Sequence, residues 1–201
     1  MITHHCRIVN KTIIVDGVVL FHSDAASLDD FLLDAYKALK IDYPKFYKMD
    51  NLSKAGFLAA EMLLKKSPAL KYAGEKISLV LANAHASLDT DMKYAQASQS
   101  VPSPALFVYT LANIVAGEIC IRHKIKGENA FFVSETFDAA LFESYVSMIP
   151  ADHLCLAGWV DVMGKHHDVF LYLQDNASPG KPHRASTLNE LYKKEYGTVN
   201  G

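Results

Sequence analysis

The chain has 201 residues, half of them apolar, which is enough for one substantial core and too few for two comfortable domains. Its 20 basic and 22 acidic side chains nearly cancel, and no basic run or stripe stands out, which argues against a nucleic-acid binder. Nothing approaches eighteen uncharged apolar residues, and the start, Met-Ile-Thr-His-His-Cys-Arg, lacks a signal-peptide pattern, so the expectation is a soluble, cytoplasmic protein with no membrane partner.

In chain order, the β-branched runs Ile13-Ile14-Val15 and Val18-Val19-Leu20 flank Asp16-Gly17, a hairpin signal. Ser27 is placed to cap a helix through about Lys40, with Leu28, Phe31, Leu32, Ala35 and Leu39 at helical spacing. A second helix is predicted over Leu52 to Lys66, capped by Asp50 or Asn51 and stopped by Ser67-Pro68. Ile77 to Ala82 is a short continuous apolar run, the pattern of a strand buried on both faces of a parallel sheet. A Ser-, Asp- and Ala-rich loop is read over 83–102.

Ser103-Pro104 then opens a helix to about His123 that is apolar around most of its circumference, as suits the middle of a protein or an interface. Gly117 inside it costs about 1 kcal/mol relative to alanine, so close approach of another backbone is expected there. Ala130 to Val133 reads as a strand, 136–148 as a helix, and His153 to Val160 and Val169 to Leu173 as strands. Alternating strands and helices imply an α/β domain with a largely parallel sheet and helices on both faces, over residues 1–175. Residues 176–201 read as a polar tail with one short helix, Leu188 to Tyr196, that Thr187 and Glu190 cap and Gly197 stops.

The chemistry-bearing residues are sparse. Cys6, Cys120 and Cys155 are odd in number and far apart, which fits reduced core thiols and neither a disulfide framework nor a zinc site. His4-His5 and His166-His167 read as a polar terminus and a solvated turn, and Asp89-Thr90-Asp91 as a helix start, so no metal is expected. Dinucleotide, P-loop, α/β-hydrolase and zincin motifs are absent, and no cofactor is expected.

Six pieces in order carry a resemblance: Lys48-Met49-Asp50 with Leu58-Ala59-Ala60-Glu61, Ser78 to Asn83, Ser103-Pro104-Ala105-Leu106-Phe107, Asn113 to Glu118, Lys126-Gly127, and Leu156-Ala157-Gly158-Trp159-Val160-Asp161. Together they resemble the N-terminal, nucleophile-bearing half of β-ketoacyl synthases in the thiolase superfamily, over roughly residues 45–175. The resemblance implies a thiolase-like half fold with a five-stranded sheet, dimerisation through a strand at about Ala130 to Val133, and a substrate region near Phe107, Asn113 and Phe137. It also implies a nucleophilic cysteine where that strand turns into the next helix. Here the turn reads Val133-Ser134-Glu135-Thr136-Phe137, without cysteine, and the histidines of the family's second half are missing too.

A thiolate at a helix start is the family's nucleophile, and a hydroxyl there needs a base. The expectation is therefore a ketosynthase-like protein without the condensing machinery, a non-catalytic accessory or partner subunit in fatty-acid, polyene or polyketide assembly. Its expected partners are a second copy or a full ketosynthase, and an acyl carrier protein. The alternatives are an acyltransferase or thioesterase acting through Ser134 or Thr136, with Glu135 or His85 assisting, and a thioester-binding module at the helix start 134–137.

Overall fold

In the computed structural model, which describes residues 1–65, 69–99 and 104–194, the strands are β1 (Ile2–Val9), β2 (Thr12–Val15), β3 (Val18–His22), β4 (Ile77–Asn83), β5 (Asn129–Val133), β6 (Leu154–Met163) and β7 (His166–Gln174). They form one seven-stranded sheet of order β3-β2-β1-β7-β6-β4-β5. The expected sheet was five-stranded and largely parallel. Only β4–β5 and β4–β6 are parallel, and the other pairings are antiparallel. β6 returns directly into β7 through a turn at Gly164, whose φ is 61°. The N-terminal strands join by tight turns, with Asp16 and Gly17 both at positive φ as a type I′ hairpin requires. A continuous apolar run reports burial on both faces and says nothing of strand direction, which is why the parallel reading overreached.

Among the described residues the helices are α1 (Leu28–Ala38), α2 (Asn51–Leu64), α3 (Leu88–Ala97), α4 (Pro104–Val108), α5 (Ile114–His123), α6 (Ala139–Ser147) and α7 (Ala185–Lys193). Ser27 caps α1 and Asp50 caps α2, each accepting from a backbone N–H three residues on. Helices do cover both faces of the sheet. Leu79 and Leu81 of β4 pack with Phe31 of α1, Leu58 of α2 and Ile119 of α5, whereas Val80 and Ala82 pack with Phe142 of α6 and Leu188 of α7. α2 and α5 are clamped by the buried carboxylate of Glu61, which takes the Arg122 guanidinium at 2.6 Å. α7 is held by the Arg7 guanidinium, stacked 4.6 Å over the Tyr192 ring and paired with Asp168 at 2.6 Å.

Several local expectations change. The loop read over 83–102 contains α3. The long apolar helix is two pieces, α4 and α5, with Asn113 at the start of the second. Between them Tyr109 is buried and its hydroxyl donates to buried Glu118 at 3.0 Å, while the Thr110 hydroxyl returns to the Phe107 carbonyl. Ser103, Lys66, Ser67-Pro68, Tyr196 and Gly197 lie outside the described residues. α7 begins after Arg184, so Thr187 sits inside it and the Thr187–Glu190 box does not form. His166-His167 belong to β7 and not to a turn, with the His167 imidazole accepting the Lys11 N–H. His4 and His5 lie in β1 and share the carboxylate of Asp16. Asp89, Thr90 and Asp91 bond apart, to Lys93, Asp50 and Ser87.

Two glycines show opposite constraints. A Cβ on Gly158, at φ 145°, would stand 2.0 Å from the Phe170 carbonyl oxygen, whereas one on Gly117 would meet nothing within 4 Å. The close backbone expected at Gly117 is not found among the described residues. Gly158→Ala should therefore lower stability by on the order of 3 kcal/mol. Gly117→Ala should raise it by up to about 1 kcal/mol, and denaturant titration of the isolated chain reads both.

His123 and His183 are both pushed down to about 4, chiefly by burial. Their folded-state values lie below the unfolded value of about 6.5, so the unfolded chain binds more protons between the two. Their contribution to stability is full above about pH 6.5 and is lost as pH falls toward 4. The denaturant midpoint should drop between pH 7 and pH 5, and His183→Gln should narrow that drop.

Candidate functional site

β4 and β5 end together, and β6 runs past them to Met163. β4 stands between β5 and β6 and runs parallel to both; α5, in the connection from β4 to β5, packs on one face of the sheet, and α6, in the connection from β5 to β6, packs on the other. Such a switch point is where open α/β sheets form ligand crevices. Pairing of Asn83 with Val133 brings the Ser134 N–H to the Asn83 carbonyl at 3.0 Å, which puts the turn 134–138 beside the end of β4.

The helix read from residue 136 starts later than that. α6 starts at Ala139, and Asp138 accepts the N–H groups of Ala140 and Leu141 at 2.9 and 3.1 Å. Ser134 and Thr136 therefore lie ahead of the helix instead of capping it. The Ser134 hydroxyl donates to the Thr136 carbonyl at 3.0 Å, so its one proton faces a carbonyl oxygen and no base. Glu135 and Thr136 are exposed, beside an opening of about 480 Å³ that Ala185 and Asn189 also border. Cys155 is buried in β6, away from the turn, and burial pushes its thiol up, the reverse of what a nucleophilic thiolate needs.

The three residues expected to line a substrate region are not brought together. Phe137 is a core residue, stacked on Tyr192 at 4.3 Å and edge-on to Phe170 at 5.4 Å. Asn113 is exposed at the start of α5, a helix that covers the opposite face of the sheet, and Phe107 is exposed on α4 against Tyr94. Phe107 belongs instead to an apolar surface that includes Val108 and Leu111, each about half exposed.

The sequence did single out His85, but not its partner. The buried carboxylate of Asp161, at the end of β6, receives the N–H groups of Ala84 and His85 at 3.0 and 3.2 Å and the His85 Nδ1 at 2.9 Å. His85 thus turns toward β6, whereas Ser134 lies on the β5 side of β4, and no hydrogen bond joins the two. The available signal for Asp161 was a lone acid inside a run of buried strand residues, a placement that demands a partner.

β5 ends the sheet. Leu79 N–H donates to the Glu128 carbonyl and Ser134 N–H to the Asn83 carbonyl, which fixes the phase of the parallel ladder. Ala130 and Phe132 therefore bond to β4, and the N–H and C=O groups of Asn129, Phe131 and Val133 face away from the sheet. The strand is apolar, and Val133 is 59% exposed. The opposite edge, β3, carries a register shift against β2, one of the devices that guard an edge.

No family model matches this chain, and no curated protein matches it. Solved structures do. One is described as a ketosynthase, ApeO, in complex with its chain length factor, ApeC, from Xenorhabdus doucetiae. The match has a TM-score of 0.61 and 15% identity, and covers 96% of this chain and 89% of the other. The matched chain is thus only slightly longer than this one. A second is a type II polyketide synthase acyl-carrier protein in complex with its ketosynthase bound to the hexaketide, AntDE:AntF. It has a TM-score of 0.56 and 14% identity, over 78% of this chain and 52% of that one, so this chain spans about half its length. No helix among the described residues is long and apolar enough to cross a membrane. The chain has a ketosynthase-like α/β fold.

Proposed function

We propose that the protein is an accessory subunit that pairs with a ketosynthase in fatty-acid, polyene or polyketide assembly and does not itself carry out the condensation. The observation that carries this reading is the unguarded outer edge of β5. An apolar strand with outward N–H and C=O groups is a template for another strand, and adding one satisfies those groups. Val133 and, on the adjoining helix α5, Ile121 are both more than half exposed, so a partner there also buries apolar side chains. The likeness to chains of a ketosynthase and chain length factor complex fits a partner of the same fold.

The chain reads as a degenerate nucleophile half acting in the cytoplasm, with α7, beyond residue 175, packed into its second core. The turn Ser134-Glu135-Thr136 occupies the nucleophile's place without a thiolate, which leaves the condensing chemistry to the partner. A full ketosynthase is preferred over a second copy because two copies of this chain would still lack the family's cysteine and histidines. An acyl carrier protein is the expected third component, since the growing chain must arrive on one.

Co-expression with the ketosynthase of its own pathway, followed by chromatography with light scattering, should give a heterodimer. Val133→Pro removes an outward N–H and an exposed side chain while leaving the β4 ladder intact. It should weaken the complex at least about tenfold, or 1.4 kcal/mol, without changing the melting temperature of the free chain by more than a few degrees. A monomer that binds neither ketosynthase nor acyl carrier protein would contradict the proposal.

A further inference from the structure

The connection after β4 holds a histidine in the arrangement of a proton acceptor. Asp161 is 3% exposed, and among the described residues the one side chain that hydrogen-bonds to it is His85. A buried carboxylate keeps a donor on Nδ1, which leaves the lone pair of the neutral imidazole on Nε2. The imidazole is 37% exposed, and no hydrogen bond of Nε2 occurs among the described residues. The loop is braced to keep this pose. The Asn83 side chain bonds both the N–H and the C=O of Ala86, at 2.8 and 2.9 Å, and holds that non-glycine residue at φ 50°.

His85 does not line a groove itself, but the two segments that hold it and Asp161 lead into one. Four residues beyond His85 on α3, and two beyond Asp161 on β6, an opening of about 470 Å³ lies between α3 and the β6–β7 turn. It is lined by Asp89, Met92, Lys93, Gln96, Met163 and Gly164. The Asp89 carboxylate is engaged by the Gly164 N–H and by Lys93, which leaves the two thioethers, the lysine stem and the Gln96 side chain as its contact surface for a ligand. Methionines adapt to flexible apolar chains, and the volume suits a small ligand.

We propose that His85, oriented by Asp161, activates water for the hydrolysis of acyl thioesters whose acyl chain lies in this groove. The His85 Nε2 takes a proton from water as the water oxygen bonds to the acyl carbon. The tetrahedral intermediate then expels the thiolate, which takes the proton back from the imidazolium, giving a carboxylic acid and a free thiol. A thiolate leaves more readily than an alkoxide, so a single imidazole base suits this substrate class. Asp161 acts through His85 and is a positioning residue. The thioester substrate class rests on the proposed function, but the test needs no partner, because the free chain carries His85, Asp161 and the groove.

The test uses the full chain without a ketosynthase, with acetyl-, butyryl- and octanoyl-CoA, following thiol release over many turnovers. The expected result is turnover above the buffer rate, with His85→Gln losing at least about 100-fold of the excess. Asp161→Asn should lower kcat and shift the pH profile, and Met163→Trp should impair octanoyl-CoA more than acetyl-CoA. If His85→Gln melts abnormally, carbethoxylation of wild-type His85 replaces it, and should abolish turnover unless octanoyl-CoA is present to protect. Wild-type turnover no faster than buffer, or turnover unaffected by losing or modifying His85, would overturn the proposal. Heterodimer formation is read separately, so failure of one idea leaves the other standing.

Discussion

The position of β4 governs the rest of the molecule. It is buried along its whole length, pairs in parallel with β5 on one side and β6 on the other, and presents alternate side chains to two separate cores. The connections after β4 and after β5 cross opposite faces of the sheet, and the carboxyl end of β4 collects the Ser134 turn, His85 and Asp161. The same pairing fixes the phase of β5, and with it which backbone groups are left without a partner. A shift of one residue in the β4–β5 register would turn Phe131 and Phe132 to the wrong cores.

Two features of the carboxyl edge separate cleanly in chemical character. On the β5 side the turn is held by internal bonds that consume its polar groups. Ser134 donates to a carbonyl, Asp138 serves the helix, and Phe137 is driven into an aromatic cluster with Tyr192, Phe142 and Phe170. On the β6 side a buried acid orients an exposed imidazole. A chain that retains a ketosynthase-like scaffold has thus placed an oriented proton acceptor across β4 from the turn where the resemblance puts the nucleophile.

Much of the fold was legible because it rests on local rules. Ser27 and Asp50 cap the helices assigned to them, Asp16-Gly17 makes the hairpin, and the Ile77 run is a fully buried strand. What was not legible depends on partners distant in sequence. Residues 104–123 are helix-forming throughout, and the break between α4 and α5 comes from burying Tyr109 against Glu118. Ser134, Thr136 and Asp138 are all good caps, and burial of Phe137 between them fixes which one is used. Strand direction cannot be read from burial, so the antiparallel additions on both sides of the N-terminal strand were missed. The His85–Asp161 pair needs the β4–β6 register, which sets Ala82 against Trp159 and so brings the residues after β4 beside Asp161, and which has no signature in either segment alone.

The central claim is that β5 is the strand to which a ketosynthase adds, and hydrogen exchange tests it at single residues. The outward amides of Phe131 and Val133 should exchange quickly in the free chain, while those of Ala130 and Phe132, bonded to β4, exchange slowly. On mixing with the ketosynthase, Phe131 and Val133 should become protected by an order of magnitude or more. Complex formation with both amides still exchanging at the free-chain rate would place the partner elsewhere and contradict the account.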